Sequence, residues 1–178
     1  MESLLDGTPA RLLKDAAPEV SESITYIINL TISASRIPSE WKPAKVTPIY
    51  KSGDKSDPNN YRPISVLLLI SKVMERAIQS QLVAFLIRQN LLSINQSGFR
   101  KKHPTETAAV YFVDHILQQM DRQMMFGSIF IDLRKALDLV DHQCLFHKLE
   151  QYGIREKSLT WFKNYLTTRF QSLAMGSL

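Results

Sequence analysis

Three carboxylates stand close together in Ser128–His142, SIFIDLRKALDLVDH: Asp132, and then Asp138 and Asp141 within the next nine residues. Ile129, Phe130 and Ile131 form a β-branched and aromatic run that predicts a strand over Ser128–Leu133, with Asp132 near its end. An acid at a strand tip can hold a divalent cation, because the strand fixes its position while the tip stays open to a substrate. The competing reading is an acid that caps a turn or joins a surface ion pair. Asp138 is expected in the turn that follows, and Asp141 is placed to cap the next helix, so a structural role is expected for both. Nearness in sequence does not bring carboxylates to one point.

Other reactive residue types carry less. His142 and His147 are five apart, a poor spacing for joint ligation from one helix face, and neither is expected to bind metal. Cys144 is the single cysteine, so no internal disulfide can form. It has no activating partner nearby in sequence and is expected as a small core residue. Ser52-Gly53-Asp54-Lys55 lacks the spaced glycine pair and Lys-Ser/Thr end of a phosphate-binding loop. Arg100-Lys101-Lys102 is either a nucleic-acid contact or a solvated loop. Trp41, Trp161, Phe162 and Tyr165 are expected to pack in the core.

The 178 residues suffice for one domain or part of a larger one, and 44% apolar with 22% charged residues is a globular composition. No apolar run is long enough to span a bilayer, and the N-terminus lacks the layout of a secretory signal. Its one cysteine is compatible with a reducing compartment, nuclear or cytoplasmic, without fixing a location, and no membrane is expected among its partners. The net charge of +5 is unevenly spread. Between Arg36 and Lys102, twelve Lys/Arg stand against four Asp/Glu, whereas residues 103–178 carry eight of each. That basic third is either a polyanion footprint or a lysine-rich solvated surface.

These residues must be positioned by helices and short strands. Residues 9–35 read as a helix with Ile24, Ile27, Ile28 and Ile32 at helical spacing. Ala44–Lys51 suits a short strand, with Pro48 pointing to an edge or irregular one. Lys51–Tyr61, dense in Gly, Asp, Asn, Ser and Pro, reads as an exposed loop or hairpin tip. Helices are expected over Ser71–Gln89, with Ser71 as N-cap, and over Pro104–Met120, with Ala109, Phe112, Val113, Ile116 and Met120 facing inward. A turn carrying Gly98 separates them. After the 128–133 strand come helices over Gln143–Gln151, ended by Gly153, and Glu156–Thr168. The order predicts an α+β or α/β class.

Six segments share an order with a known family: IPSEWKPAKVTPIYKSGDK (37–55), NYRPISVL (60–67), KVMERAI (72–78), QSGFRKKHPTETA (96–108), FIDLRKALDLVDH (130–142) and YGIREKSLTWFKNYLTTRFQ (152–171). Together they resemble the reverse transcriptase domain of non-LTR (LINE-type) retrotransposons, jockey-like elements in particular. The resemblance implies an α+β chain holding the fingers and the first part of the palm of a right-hand polymerase, incomplete at its C-terminus. Residues 1–35 would be an N-terminal helical extension and 36–178 a partial reverse transcriptase domain. It further implies that Lys51 and Arg62 grip the incoming triphosphate, and that Gln96, Gly98, Phe99 and Arg100 support the template. Asp132 would be the first catalytic aspartate, joined at the metal by the Leu133 carbonyl. The parent reaction would extend a DNA primer on an RNA template from deoxynucleoside triphosphates, with two Mg²⁺ ions roughly 3.5–4 Å apart.

Two departures qualify that expectation. Leu137 stands where the family usually has an aromatic ring under the sugar, which predicts weaker exclusion of ribonucleotides. The aromatic-Ala-Asp-Asp motif that supplies the other metal-binding acids does not occur in the 178 residues. A truncated polymerase, inactive alone, is therefore expected. The alternatives are a non-catalytic nucleic-acid-binding module, or a degenerate remnant without a selected role.

Overall fold

Residues 9–35, expected as one helix, form two. The computed structural model describes residues 9–133 and 136–173; it has α1 over Ala10–Asp15 and α2 over Ala17–Ser33, parted at Ala16. Pro18 accounts for the break, since a proline without an N–H fits only the first turn of a helix. After a single tight turn at Ser39–Trp41, β1 (Ala44–Tyr50) and β2 (Tyr61–Leu67) pair antiparallel. Then come α3 (Leu69–Arg88), α4 (Thr105–Asp121), α5 (His142–Gln151), α6 (Glu156–Leu166) and a short β3 (Gln171–Leu173). The chain is therefore α+β, with one small sheet in the order β2-β1-β3 and β3 parallel to β1.

Pro48 predicts an edge or irregular strand, and β1 is the middle strand. The two facts are compatible because β3 pairs only with Ala44–Val46 and stops short of the proline. Just past the end of β1, Lys51 donates its N–H to the Asn60 carbonyl at 2.8 Å. Antiparallel rungs alternate between bonded and non-bonded pairs, so Ile49↔Arg62 is a bonded rung and Pro48↔Pro63 a non-bonded one. Both prolines thus lack an N–H only on the outward edges, where their absence also blocks further pairing.

The chain divides into two compact units, one comprising residues up to Leu82 together with those from Asp141 onward, the other Val83–Val140. In the first, α2 packs on α6, and the core is Ile28, Ile37, Met74 and Trp161, flanked by Ile24, Ile32, Trp41, Val73, Phe162 and Tyr165. Burying Trp161 requires a partner for its indole N–H, which donates to Thr31 Oγ1 at 3.3 Å. The Thr31 hydroxyl in turn donates to the Ile28 carbonyl at 2.7 Å. Residues 35–44 lie along α6 as a strap. Ser35 Oγ donates to the Lys157 carbonyl, the Ile37 N–H to Asn164 Oδ1, and the Ala44 N–H to the Phe170 carbonyl. Tyr165 stacks on Trp161 at 5.4 Å and donates its hydroxyl to the Glu75 carboxylate.

Ser71 is not the N-cap of α3. The helix starts two residues earlier, and Ser71 is buried with its hydroxyl donated to the Trp41 carbonyl at 2.9 Å. Asp141 caps α5 as expected, its Oδ1 accepting from the Cys144 N–H at 2.8 Å, and Gly153 takes φ +89° just beyond the helix. Cys144 itself is exposed, because α5 turns Phe146 and Leu149 inward instead.

In the second unit, α4 buries none of its residues, and Val113 and Met120, expected inside, are more than half exposed. Phe112 meets Phe126 and Phe130 edge-on at 6.0 and 5.4 Å. The strand expected over 128–133 does not form: residues 124–133 are neither helix nor strand, and Ile129, Phe130 and Ile131 are more than four-fifths exposed. A strand exists through its ladder, and no described segment pairs with this one. No helix among the described residues is long and apolar enough to cross a membrane.

Candidate functional site

The β1–β2 register decides what the basic third of the chain presents. Successive strand residues alternate between faces, and directly opposed residues share one. Lys45, Thr47 and Ile49 therefore lie on one face with their partners Val66, Ile64 and Arg62, and the Lys51 N–H bond to the Asn60 carbonyl carries the alternation one rung further, to Lys51 and Asn60. The other face carries Ala44, Val46, Pro48 and Tyr50 with Tyr61, Pro63, Ser65 and Leu67. Only at its base is this second face buried, through Ala44 and Val46. Lys45, Lys51 and Arg62 are thus three exposed cations on one side of the β1–β2 hairpin. Lysine offers a point charge and arginine a two-pronged donor, a set suited to phosphate oxygens. Lys45 was not singled out from sequence, although its spacing of six from Lys51 is even and so predicts the same face.

The tip between the strands is ordered by its own side chains. Tyr50 and Tyr61 meet edge-on at 5.6 Å. Tyr50 donates its hydroxyl to the Gly53 carbonyl at 2.5 Å, Asn60 Nδ2 donates to the Asp54 carbonyl at 2.8 Å, and the Tyr61 hydroxyl donates to the Lys55 carbonyl at 2.9 Å. Asp54 accepts from the Ser56 N–H at 2.9 Å, and that bond holds its carboxyl below the usual carboxylate range. Asp57 accepts from the Asn59 N–H and shapes the turn at Pro58–Asn60.

The predicted template residues lie together in the loop before α4, in the second unit. Gln96 Nε2 donates to the Gly98 carbonyl at 3.1 Å, and Arg100 Nη1 donates to the carbonyls of Ser93 and Gln96 at 2.9 and 3.3 Å. Arg100 Nε is covered yet has no partner among the described residues. Phe99 is 90% exposed and sits at φ +61°, an uncommon conformation for a bulky side chain. An open cleft of about 500 Å³ runs past Gly98, Phe99, Arg100, His103 and Thr105. A cation and an exposed ring beside such a cleft can meet a phosphate and a base face.

Asp132 and Leu133 are exposed and outside any strand. Leu137 and Asp138 lie in the turn 136–139, Leu137 at 77% exposure, while Arg134 and Lys135 fall outside the described residues. Asp141 is committed to its helix cap, which keeps its carboxyl below the usual range through the Cys144 N–H. No group of three His, Cys, Asp or Glu side chains among the described residues could hold a metal ion. Asp132 and the Leu133 carbonyl offer three oxygens between them, whereas each Mg²⁺ takes six. The described residues thus do not fit a resident two-metal centre. Lys51 and Arg62 belong to the first unit, whereas Gln96, Gly98, Phe99, Arg100, Asp132 and Leu137 belong to the second.

Comparison with known proteins adds what geometry does not. The profile of the reverse transcriptase (RNA-dependent DNA polymerase) family matches residues 49–177. The chain is 32% identical over 153 residues to the probable RNA-directed DNA polymerase from transposon BS of Drosophila melanogaster, a match spanning 82% of this chain and 16% of that protein. It is 36% identical over 129 residues to the probable RNA-directed DNA polymerase from transposon X-element of the same organism, across 72% of this chain and 14% of the relative. With the RNA-directed DNA polymerase from mobile element jockey, also of Drosophila melanogaster, identity is 31% over 151 residues, across 84% and 16%. The chain therefore spans about a sixth of the length of these relatives.

Proposed function

The chain belongs to the reverse transcriptase (RNA-dependent DNA polymerase) family, and from that premise we propose that it is the template- and nucleotide-gripping part of the RNA-directed DNA polymerase of a non-LTR mobile element. Residues 36–178 act as the fingers and the start of the palm, with residues 1–35 as a helical extension. Lys51 and Arg62, on the basic fingers surface, engage the template backbone and the incoming triphosphate; Gln96, Gly98, Phe99 and Arg100 support the RNA template; Leu137 lies under the sugar. Asp132 and the Leu133 carbonyl contribute part of a Mg²⁺ ligand set that these residues do not complete. The partners are an RNA template, a DNA primer and deoxynucleoside triphosphates.

One observation carries this reading: the hairpin register, continued one rung past β1 by the Lys51 N–H bond to the Asn60 carbonyl, sets Lys51 and Arg62 on a single face. Two unrelated basic residues eleven positions apart meet this way only because Tyr50 opposes Tyr61. On this reading the chain alone binds single-stranded RNA and does not extend a primer, since Asp132 and the Leu133 carbonyl leave most ligand positions of two ions unfilled. The measurement is fluorescence anisotropy with a labelled RNA oligonucleotide across a salt series. Lys51→Ala and Arg62→Ala should each weaken binding and lower the salt slope by about one. Unchanged affinity and slope in both would refute the proposed grip.

A further inference from the structure

Three consecutive carbonyls at the hairpin tip are taken by three side chains from the ends of its strands: Gly53 by Tyr50, Asp54 by Asn60 and Lys55 by Tyr61. A solvated loop satisfies its carbonyls with water, and eleven residues rich in Gly, Ser, Asp and Asn have no intrinsic reason to adopt one shape. Here the two tyrosine rings, paired across a non-bonded rung, reach from the face opposite Lys51 and Arg62 and draw the tip toward themselves. Asn60 closes the mouth of the loop twice, accepting the Lys51 N–H on its backbone carbonyl and donating its side-chain amide to Asp54. Gly53 is required by this closure. Its φ is +97°, and a Cβ there would stand 2.6 Å from Asn60 Nδ2.

We infer that Tyr50, Asn60 and Tyr61 are positioning residues of the hairpin: the two tyrosines tie the tip to the face opposite Lys51 and Arg62, and Asn60, directly opposed to Lys51, closes the mouth of the loop, so that Lys51 and Arg62 are presented already ordered. This rests on the reading that the Lys51/Arg62 face meets nucleic acid or its building blocks. None of the three need touch the ligand. Their part is to reduce the ordering that binding would otherwise require.

The discriminating variant is Tyr50→Phe/Tyr61→Phe, which keeps both rings and all charges and removes only the two hydroxyl ties. It should bind labelled single-stranded RNA about five- to tenfold more weakly with the salt slope unchanged, because no phosphate contact is lost. Hydrogen exchange of the Ser52–Ser56 amides should quicken in the same variant while that of α6 stays as in wild type. Gly53→Ala, which acts from inside the tip, should reproduce both effects. If the double variant binds as wild type while Lys51→Ala and Arg62→Ala bind more weakly, the inference is overturned and the reading of the face stands. Unchanged exchange at the tip also overturns it. If Lys51→Ala and Arg62→Ala bind as wild type, the reading of the face fails, and the inference falls with it.

Discussion

Tyr165 shows how a single polar atom can fix a core edge. It is stacked on Trp161, lies 4.8 Å from the Arg169 guanidinium and donates its hydroxyl to Glu75. Burial, and then the hydrogen bond and charge of Glu75, push its phenol well above the ordinary range. Because the folded state holds the proton more tightly than the unfolded one, this contribution is complete below about pH 10 and is lost as pH rises further. Tyr165→Phe should therefore cost about 1–3 kcal/mol at neutral pH, by leaving the Glu75 carboxylate without its donor. It should also flatten the alkaline loss of stability. Thermal melts of both proteins between pH 7 and 11 check this, and parallel alkaline losses would show that Tyr165 is not their source. Lys42 presents the opposite case. It is 7% exposed, with Nζ 3.4 Å from the Thr167 carbonyl at the C-terminal end of α6, and burial followed by the neighbouring Arg169 and Arg36 lowers its pKa. The Thr167 carbonyl accepts from it there, beside the C-terminal end of α6, where a helix dipole favours a cation.

Among the elements, α6 holds the first unit together. It meets α2 through Trp161 and the strap 35–44 through Asn164 and Thr167. Trp161→Ala would remove a ring that is 3% exposed and leave Thr31 without its donor, at a cost of about 3–5 kcal/mol. Against a usual total of about 5–15 kcal/mol, that is enough to shift or abolish a cooperative transition, measurable by circular dichroism at 222 nm or by calorimetry. The aromatic spacing of Trp161, Phe162 and Tyr165 made this core stripe legible in the sequence, as did the acid at Asp141 for the α5 cap. Local signals of that kind depend on residues within one turn. Nothing local distinguishes a cap from a buried serine such as Ser71, whose partner, Trp41, is thirty residues away. β3 was missed because three residues, Gln171–Leu173, carry no pattern and pair only through their register with Ala44–Val46. The candidate site divides the same way. Lys51 and Arg62 could be named from the motif, but their common face, and the place of Lys45 on it, follow from a register set by Tyr50↔Tyr61.

At the scale of the whole chain, apolar residues are distributed unequally between core and surface. Every buried residue among those described lies in the unit that joins residues up to Leu82 with those from Asp141 onward; none of the described residues in Val83–Val140 is buried. The second unit nevertheless exposes Tyr111, Leu117, Met125, Phe130 and Ile131, each by more than half. Ile129-Phe130-Ile131 is apolar on both sides of an extended backbone, the pattern of a strand meant to be covered on both faces. Helix propensity alone leaves a 17-residue helix only marginally stable in water, and α4 has little burial to add. Protection of backbone amides should follow. In native-state hydrogen exchange, amides of α2 and α6 should be protected to near the global unfolding free energy, while those of α4 and residues 124–133 exchange through local opening at a much lower one. Urea should leave exchange in α4 almost unchanged at concentrations that accelerate it in α6, since local opening exposes little new surface. If α4 is protected as strongly as α6 and responds to urea with the same slope, the two units unfold as one, and burial within each unit does not set where the chain opens first.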